Sequence, residues 1–278
     1  MMMQLGIFAR TFTRPTLEAI FDAVVLHDLH CVQFNMACVG LPSLPDHIEN
    51  DVIIHIRSEA ASREINIAAV SGTYNMIHPD PEQRQAGLRR LRVLASASKH
   101  MGTSVITLCT GTRNPENMWR WHPENTSPQA WEDLLSSMDA ALHIAEEEDV
   151  ILAFEPERAN VINTAAQGRA LLDTMQSPRL KVVMDPANLI VPENKQHMYH
   201  TMDEAFELLG EDIVLAHAKD IGSDNTFQPA GTGILDYDYY LHHFKATNTE
   251  IPLIIHGLSE TQVDAAVRFL RAKLQAMS

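Results

Sequence analysis

IVLAHAKD, residues 213–220, sets four apolar residues in a row ahead of His217, Lys219 and Asp220. A short continuous apolar run reads as a strand covered on both faces, as in a parallel sheet, and its polar end marks where the chain leaves the core. The same design recurs on either side. VILAFEP (150–156) leads into Glu155 and Glu157, LKVVMDP (180–186) into Asp185 and Asn188, and IPLIIH (251–256) into His256. Upstream, QLGIFAR (4–10), CVQFNM (31–36), NIAAVSGTYN (66–75) and SVITLCT (104–110) are four further strand-like runs.

Amphipathic helical patterns fill the intervals. Leu17, Ile20, Phe21 and Val24 share one helical face, as do Val263, Val267, Leu270 and Leu274. Asp80-Pro81 and Ser127-Pro128 place a capping side chain ahead of a proline at the first helical position. Thr164/Gln167, Thr201/Glu204 and Ser259/Gln262 have capping-box spacing and are expected to start helices. Eight strand–helix units in one chain is the number that closes an α/β barrel. The expected fold is therefore a single parallel (β/α)₈ TIM barrel spanning residues 1–278. An open doubly wound sheet would need a Gly-rich phosphate loop after its first strand, where LGIFARTF stands instead.

Bulk composition agrees with one large core: 278 residues, 45% hydrophobic and 21% charged. The net charge of −15 repels phosphate backbones and anionic lipid, so neither nucleic acid nor a membrane is an expected partner. Cys31, Cys38 and Cys109 are an odd number without CxxC spacing, which argues against a disulfide framework and for a reducing compartment. MMMQLGIFAR has no basic-then-apolar layout, and the expected location is the cytoplasm.

In a TIM barrel the C-terminal end of every strand points at one shared mouth. Glu155, Asp185, His217 and His256 then converge from four successive strands. Two carboxylates with one or two imidazoles suit a divalent ion such as Mn²⁺, Mg²⁺, Co²⁺ or Zn²⁺.

FEPE (154–157), VVMDPANL (182–189) and HAKD (217–220), with the GTGILDY turn (231–237), resemble the xylose isomerase-like TIM barrels. That group includes sugar isomerases and 3-epimerases, hydroxypyruvate isomerase, inosose dehydratase and, more distantly, endonuclease IV. The resemblance implies that Glu155, Asp185 and His217 ligate one divalent metal ion, with Glu155 also serving as catalytic acid/base. Relatives usually carry a second glutamate at the end of strand eight as fourth ligand and proton shuttle. His256 stands there, as a candidate metal ligand or catalytic group. The multi-metal relatives carry Asp-x-x-His after strand six; here it is Asp185-x-x-Asn188, and strands three and four end in Asn75 and Thr110. A DNA-repair site therefore lacks its ligands.

Lys219, Arg158, Asn188, His78 and Trp119 are candidate substrate-binding residues around that mouth. Lys219 has the alternative of pairing with Asp220 or Glu157. Glu157, beyond its proline, is expected to sit further out than Glu155. The long segment 109–128, with Trp119, Trp121 and His122, reads as a lid or a packing surface, and its Arg113 as a reach for a substrate carboxylate. The expected activity is isomerisation or epimerisation of a small sugar or hydroxy-carbonyl compound, by proton transfer through a metal-stabilised enediolate. An inosose-type dehydratase and a catalytically degenerate sugar- or metal-binding barrel are the alternatives that His256 motivates. A small sugar or polyol is the expected partner, and homo-oligomerisation is left open by the Trp-bearing segment.

Overall fold

The computed structural model describes residues 3–192, 195–247 and 251–276. Its staves are β1 (Leu5–Phe8), β2 (Cys31–Phe34), β3 (Asn66–Ser71), β4 (Val105–Cys109), β5 (Ile151–Glu155), β6 (Leu180–Met184), β7 (Ile213–Ile221) and β9 (Leu253–Ile255). Each pairs in parallel with the next, and β9 returns to β1 through Leu5–Leu253 and Ile7–Ile255, which closes the barrel. β8 (Phe227–Pro229) is not a stave. It pairs antiparallel with the overlong end of β7, opposing Lys219 to Pro229 and Ile221 to Phe227, and forms an arm above the mouth.

The helices are α1 (Leu17–Leu26), α2 (Asn50–Ser62), α3 (Pro81–Met101), α4 (Pro128–Glu148), α5 (Ala165–Met175), α6 (Pro186–Leu189), α7 (Lys195–Leu209), α8 (Tyr237–Thr247) and α9 (Val263–Ala276). Asp80 caps α3 through the Glu82 N–H, Ser127 caps α4 through the Ala130 N–H, and Thr164 caps α5 through the Gln167 N–H. The Ser259/Gln262 box forms at the turn that leads into α9. Thr201/Glu204 does not start a helix; both lie inside α7. The buried stripe Met198, Met202, Ala205, Phe206 and Leu209 runs through that point at helical spacing, and this continuous face overrides the local capping signal. No described helix is long and apolar enough to cross a membrane. All three cysteines are buried and free.

Two apolar clusters result. The larger lies between strands and helices. The smaller consists of Cys31, Ala69, Ala153, Val183, Leu215 and Ile254, one from each of six staves, and fills the barrel interior. Gly6 completes this layer on β1, where a Cβ would meet Cys31 O at 2.7 Å and Ile254 Cδ1 at 2.8 Å. Side chains two apart on a strand share a face. One step up from that plug, the inward positions are Phe8, Gln33, Ser71, Thr107, Glu155, Asp185, His217 and His256. The interior thus changes from apolar to polar within one layer, and that layer is the floor of the mouth.

Candidate functional site

Glu155 on β5, Asp185 just past β6 and His217 on β7 offer one ligand atom each, and these atoms lie within 4.8 Å of one another. His217 Nδ1 is 3.3 Å from Glu155 Oε1 and 3.6 Å from Asp185 Oδ2. The Asp185 and His217 side chains are sealed from solvent, while Glu155 keeps 19% of its side-chain surface open toward the mouth. Asp185 is also the N-cap of α6, its Oδ1 accepting from the Ala187 N–H at 3.0 Å. Its Oδ2 has Lys219 Nζ at 2.8 Å but no hydrogen bond of acceptable geometry. A buried carboxylate oxygen left short of partners, beside a second carboxylate and an imidazole nitrogen, suits a divalent cation.

Lys219 therefore pairs with Asp185, and not with Asp220 or Glu157. Asp220 is occupied elsewhere: its two oxygens accept from the backbone N–H groups of Ile221, Gly231, Gly233 and Leu235. It folds the GTGILDY turn into place. Asn188 bridges the cluster, its Nδ2 donating to Glu155 Oε1 at 2.7 Å and Glu157 Oε2 at 2.9 Å, its Oδ1 accepting from Lys219 Nζ at 3.1 Å. Glu157 is half-buried and shares Asn188 with Glu155, so it belongs to the same constellation.

The electrostatics follow from packing these groups together. Burial opposes ionisation of Asp185, but Lys219 and His217 outweigh it and hold its carboxyl well below the usual carboxylate range. Burial likewise opposes protonation of His217, yet the charge of Glu155, the hydrogen bond with it and the nearby Asp185 carboxylate raise it to about 9. Glu157 is pushed up to about 7 by burial and by Glu155, against the pull of Lys219. His256 goes the other way: burial and the neighbouring His217 and Lys219 drive its pKa well below 6.5.

His256 stacks on His217 with ring centroids 4.8 Å apart and a 16° interplanar angle, and on its other side meets Phe8 at 5.0 Å. It lies outside the three-residue cluster, and its Nδ1 is buried without a hydrogen-bond partner. Arg158 donates to the carbonyl oxygens of Ala187 and Ile190 and to Asn225 Oδ1, and its guanidinium packs over Phe227 at 4.8 Å. Lys219 Nζ lies 4.1 Å from the centroid of the same ring.

Other residues have structural duties. His78 uses both ring nitrogens in the loops, Nε2 against Pro115 O and Nδ1 accepting from the Asp80 N–H. Arg113 is buried against Asp133 at 2.6 Å and donates to Ile77 O, so it does not reach for a substrate carboxylate; its charge is spent in locking loop to helix. Asn125 and Asn160 pin the same segment through Thr112, Arg113 and Gly111. Trp119 and Trp121 stay half exposed on it.

One buried residue of the floor escaped the sequence reading. Gln33 on β2 places Oε1 2.8 Å from His217 Nε2, while its amide nitrogen donates to the Ser71 and Thr107 hydroxyls. The available signal was a lone glutamine inside CVQF, two residues beyond an inward-facing cysteine.

The family described as Xylose isomerase-like TIM barrel matches residues 21–273. No curated protein sequence matches the chain. Among solved structures of the same fold is D-psicose 3-epimerase with D-tagatose from Clostridium cellulolyticum (TM-score 0.72, 16% identity, 98% of this chain and 99% of that one). A second is the probable 3-DHS dehydratase AsbF from Bacillus anthracis (0.73, 13%, 98% and 99%). A third is the IOLI protein with a bound zinc atom (0.75, 14%, 99% and 99%).

Proposed function

The chain belongs to the xylose isomerase-like TIM barrel family, and from its site we propose that it is a metal-dependent isomerase or epimerase of a small sugar or hydroxy-carbonyl compound. The observation that supports this most is the set of three ligand atoms from Glu155, Asp185 and His217 within 4.8 Å of one another on the floor of the mouth. Glu155, Asp185 and His217 would hold a divalent ion, which would supply Lewis acidity toward a substrate carbonyl. Glu155, the most open of the three, takes the proton from that carbon and returns it. Asn188 fixes the Glu155 carboxylate, and Lys219 offers a buried cation to a substrate oxygen. His256, stacked on His217 from the neighbouring stave, is the candidate for the second face. Solved proteins of this fold that are named as sugar epimerases lend support at the level of fold.

The test is solvent exchange. With Mn²⁺ bound, ketoses incubated in D₂O gain deuterium at the carbon next to the carbonyl, and Glu155→Gln abolishes the gain. Stoichiometric metal without exchange on any ketose of the panel refutes the isomerase reading.

A dehydratase is the second reading, favoured by one observation. The eighth stave, β9, ends in an imidazole stacked on His217 in place of a second carboxylate, and loss of a β-hydroxyl needs a base on one face only. An enone absorbance rising from a cyclic keto-polyol, without epimer formation, selects it.

A further inference from the structure

The end of β1, the β8 arm and residues 256–262 line an open depression of about 610 Å³. It borders the proposed site at two of its lining residues. His256 in its lining stacks on His217, and Phe227 in its lining covers Lys219 and Arg158. The depression thus lies against the metal-capable floor.

Its charge is unusual for this protein. Arg10, at the end of β1, lines it and makes no hydrogen bond or ion pair with any described residue. No acid is among the described residues that line it, and Glu260 and Asp264, within and just beyond the segment 256–262, pair with Arg14 and His27. Arg158, across Phe227, is bonded only to carbonyl and amide oxygens. His256 presents an imidazole, and no carboxylate, to the same space. Arg10 is therefore a guanidinium without a carboxylate partner in a depression lined by no acid among the described residues, in a chain of net charge −15. A dication on the floor would deepen that positive field. Guanidinium is suited to forked recognition of planar or tetrahedral oxyanions.

We propose that the substrate carries an anionic group, a carboxylate or a phosphate, which docks on Arg10 while its keto-alcohol end reaches Glu155, Asp185 and His217. This inference rests on the metal-dependent reading of that site and narrows its substrate class. Arg10 would fix the far end of the substrate, and Phe227 would cover the middle.

Calorimetric titration of the Mn²⁺-loaded protein with D-fructose, D-fructose 6-phosphate and D-fructuronate tests it. One anionic ketose is expected to bind at least about tenfold tighter than D-fructose, and which one it is separates phosphate from carboxylate. Arg10→Met should weaken that ligand on the order of 10- to 100-fold and leave D-fructose unchanged. Arg10→Lys, which keeps the charge, should retain part of the preference. Equal binding of all three, no binding of either anion, or a preference that survives Arg10→Met overturns the proposal. Deuterium exchange in the same samples separates the two readings. Arg10-dependent binding without exchange refutes the isomerase and keeps the anion site, whereas exchange on neutral ketoses alone does the reverse.

Discussion

Gln33 Oε1 lies 2.8 Å from His217 Nε2, a contact that joins strand two to strand seven through the barrel interior. With Nε2–H donating to that oxygen, Nδ1 is the atom left to face Glu155 and Asp185. A ligating histidine held by its other nitrogen keeps one tautomer and one orientation.

Gln33→Leu should therefore weaken Mn²⁺ binding by about 10- to 100-fold, because neither the tautomer nor the ring plane is then held. Competition of the protein against a fluorescent chelator reads the change. Unaltered affinity would show that Gln33 only fills space.

Metal affinity should also climb with pH. The His217 pKa is raised to about 9, so near neutrality Nδ1 carries a proton that a cation must displace. Below that pKa the apparent affinity for Mn²⁺ should rise by about tenfold per pH unit, levelling off above it. The metal-free fold responds in the opposite sense. A raised folded pKa means that this contribution to stability is complete below about 6.5 and is lost as pH rises through about 9. Calorimetry in buffers of different ionisation enthalpy counts the released proton; a pH-independent affinity refutes the assignment.

Asp185→Asn should cost both metal and stability. It removes a proposed ligand and leaves Lys219, only 5% exposed, without its countercharge. Breaking one side of a buried pair costs about 3–5 kcal/mol. Urea unfolding of the metal-free variant measures this, and Asp185→Asn/Lys219→Met should recover part of it without regaining metal. A double variant no more stable than the single one would show that the stranded lysine is not the cause.

Asp220→Ala separates structure from chemistry within HAKD. Four backbone N–H groups lose their acceptor, each buried donor worth about 1–3 kcal/mol when left unpaired. The expected loss is on the order of 3–5 kcal/mol, with metal still binding the fraction that folds. A variant that keeps full stability would mean that the GTGILDY turn is held by other contacts.

The staves, their order and the residues at their ends could be read directly from residues 4–10 to 251–256, because a strand buried on both faces leaves an uninterrupted apolar signature. Glu155, Asp185 and His217 were legible for the same reason, each breaking such a run at its C-terminal end. Partnerships were not legible, since they join residues far apart in the chain. Whether Lys219 meets Asp220 next to it or Asp185 across a strand depends on which way each side chain leaves the sheet. Alternation puts Asp220 outward to the turn, while Lys219 curls back over the floor. Arg113 looked free in a loop and is locked to a helix. IVLAHAKD thus announces a strand and a polar end, but its three polar residues divide into a candidate ligand, a buried cation and a turn brace. That division comes from barrel closure, which brings β2, β5, β6 and β7 to one floor and lets distance, not sequence separation, select each partner.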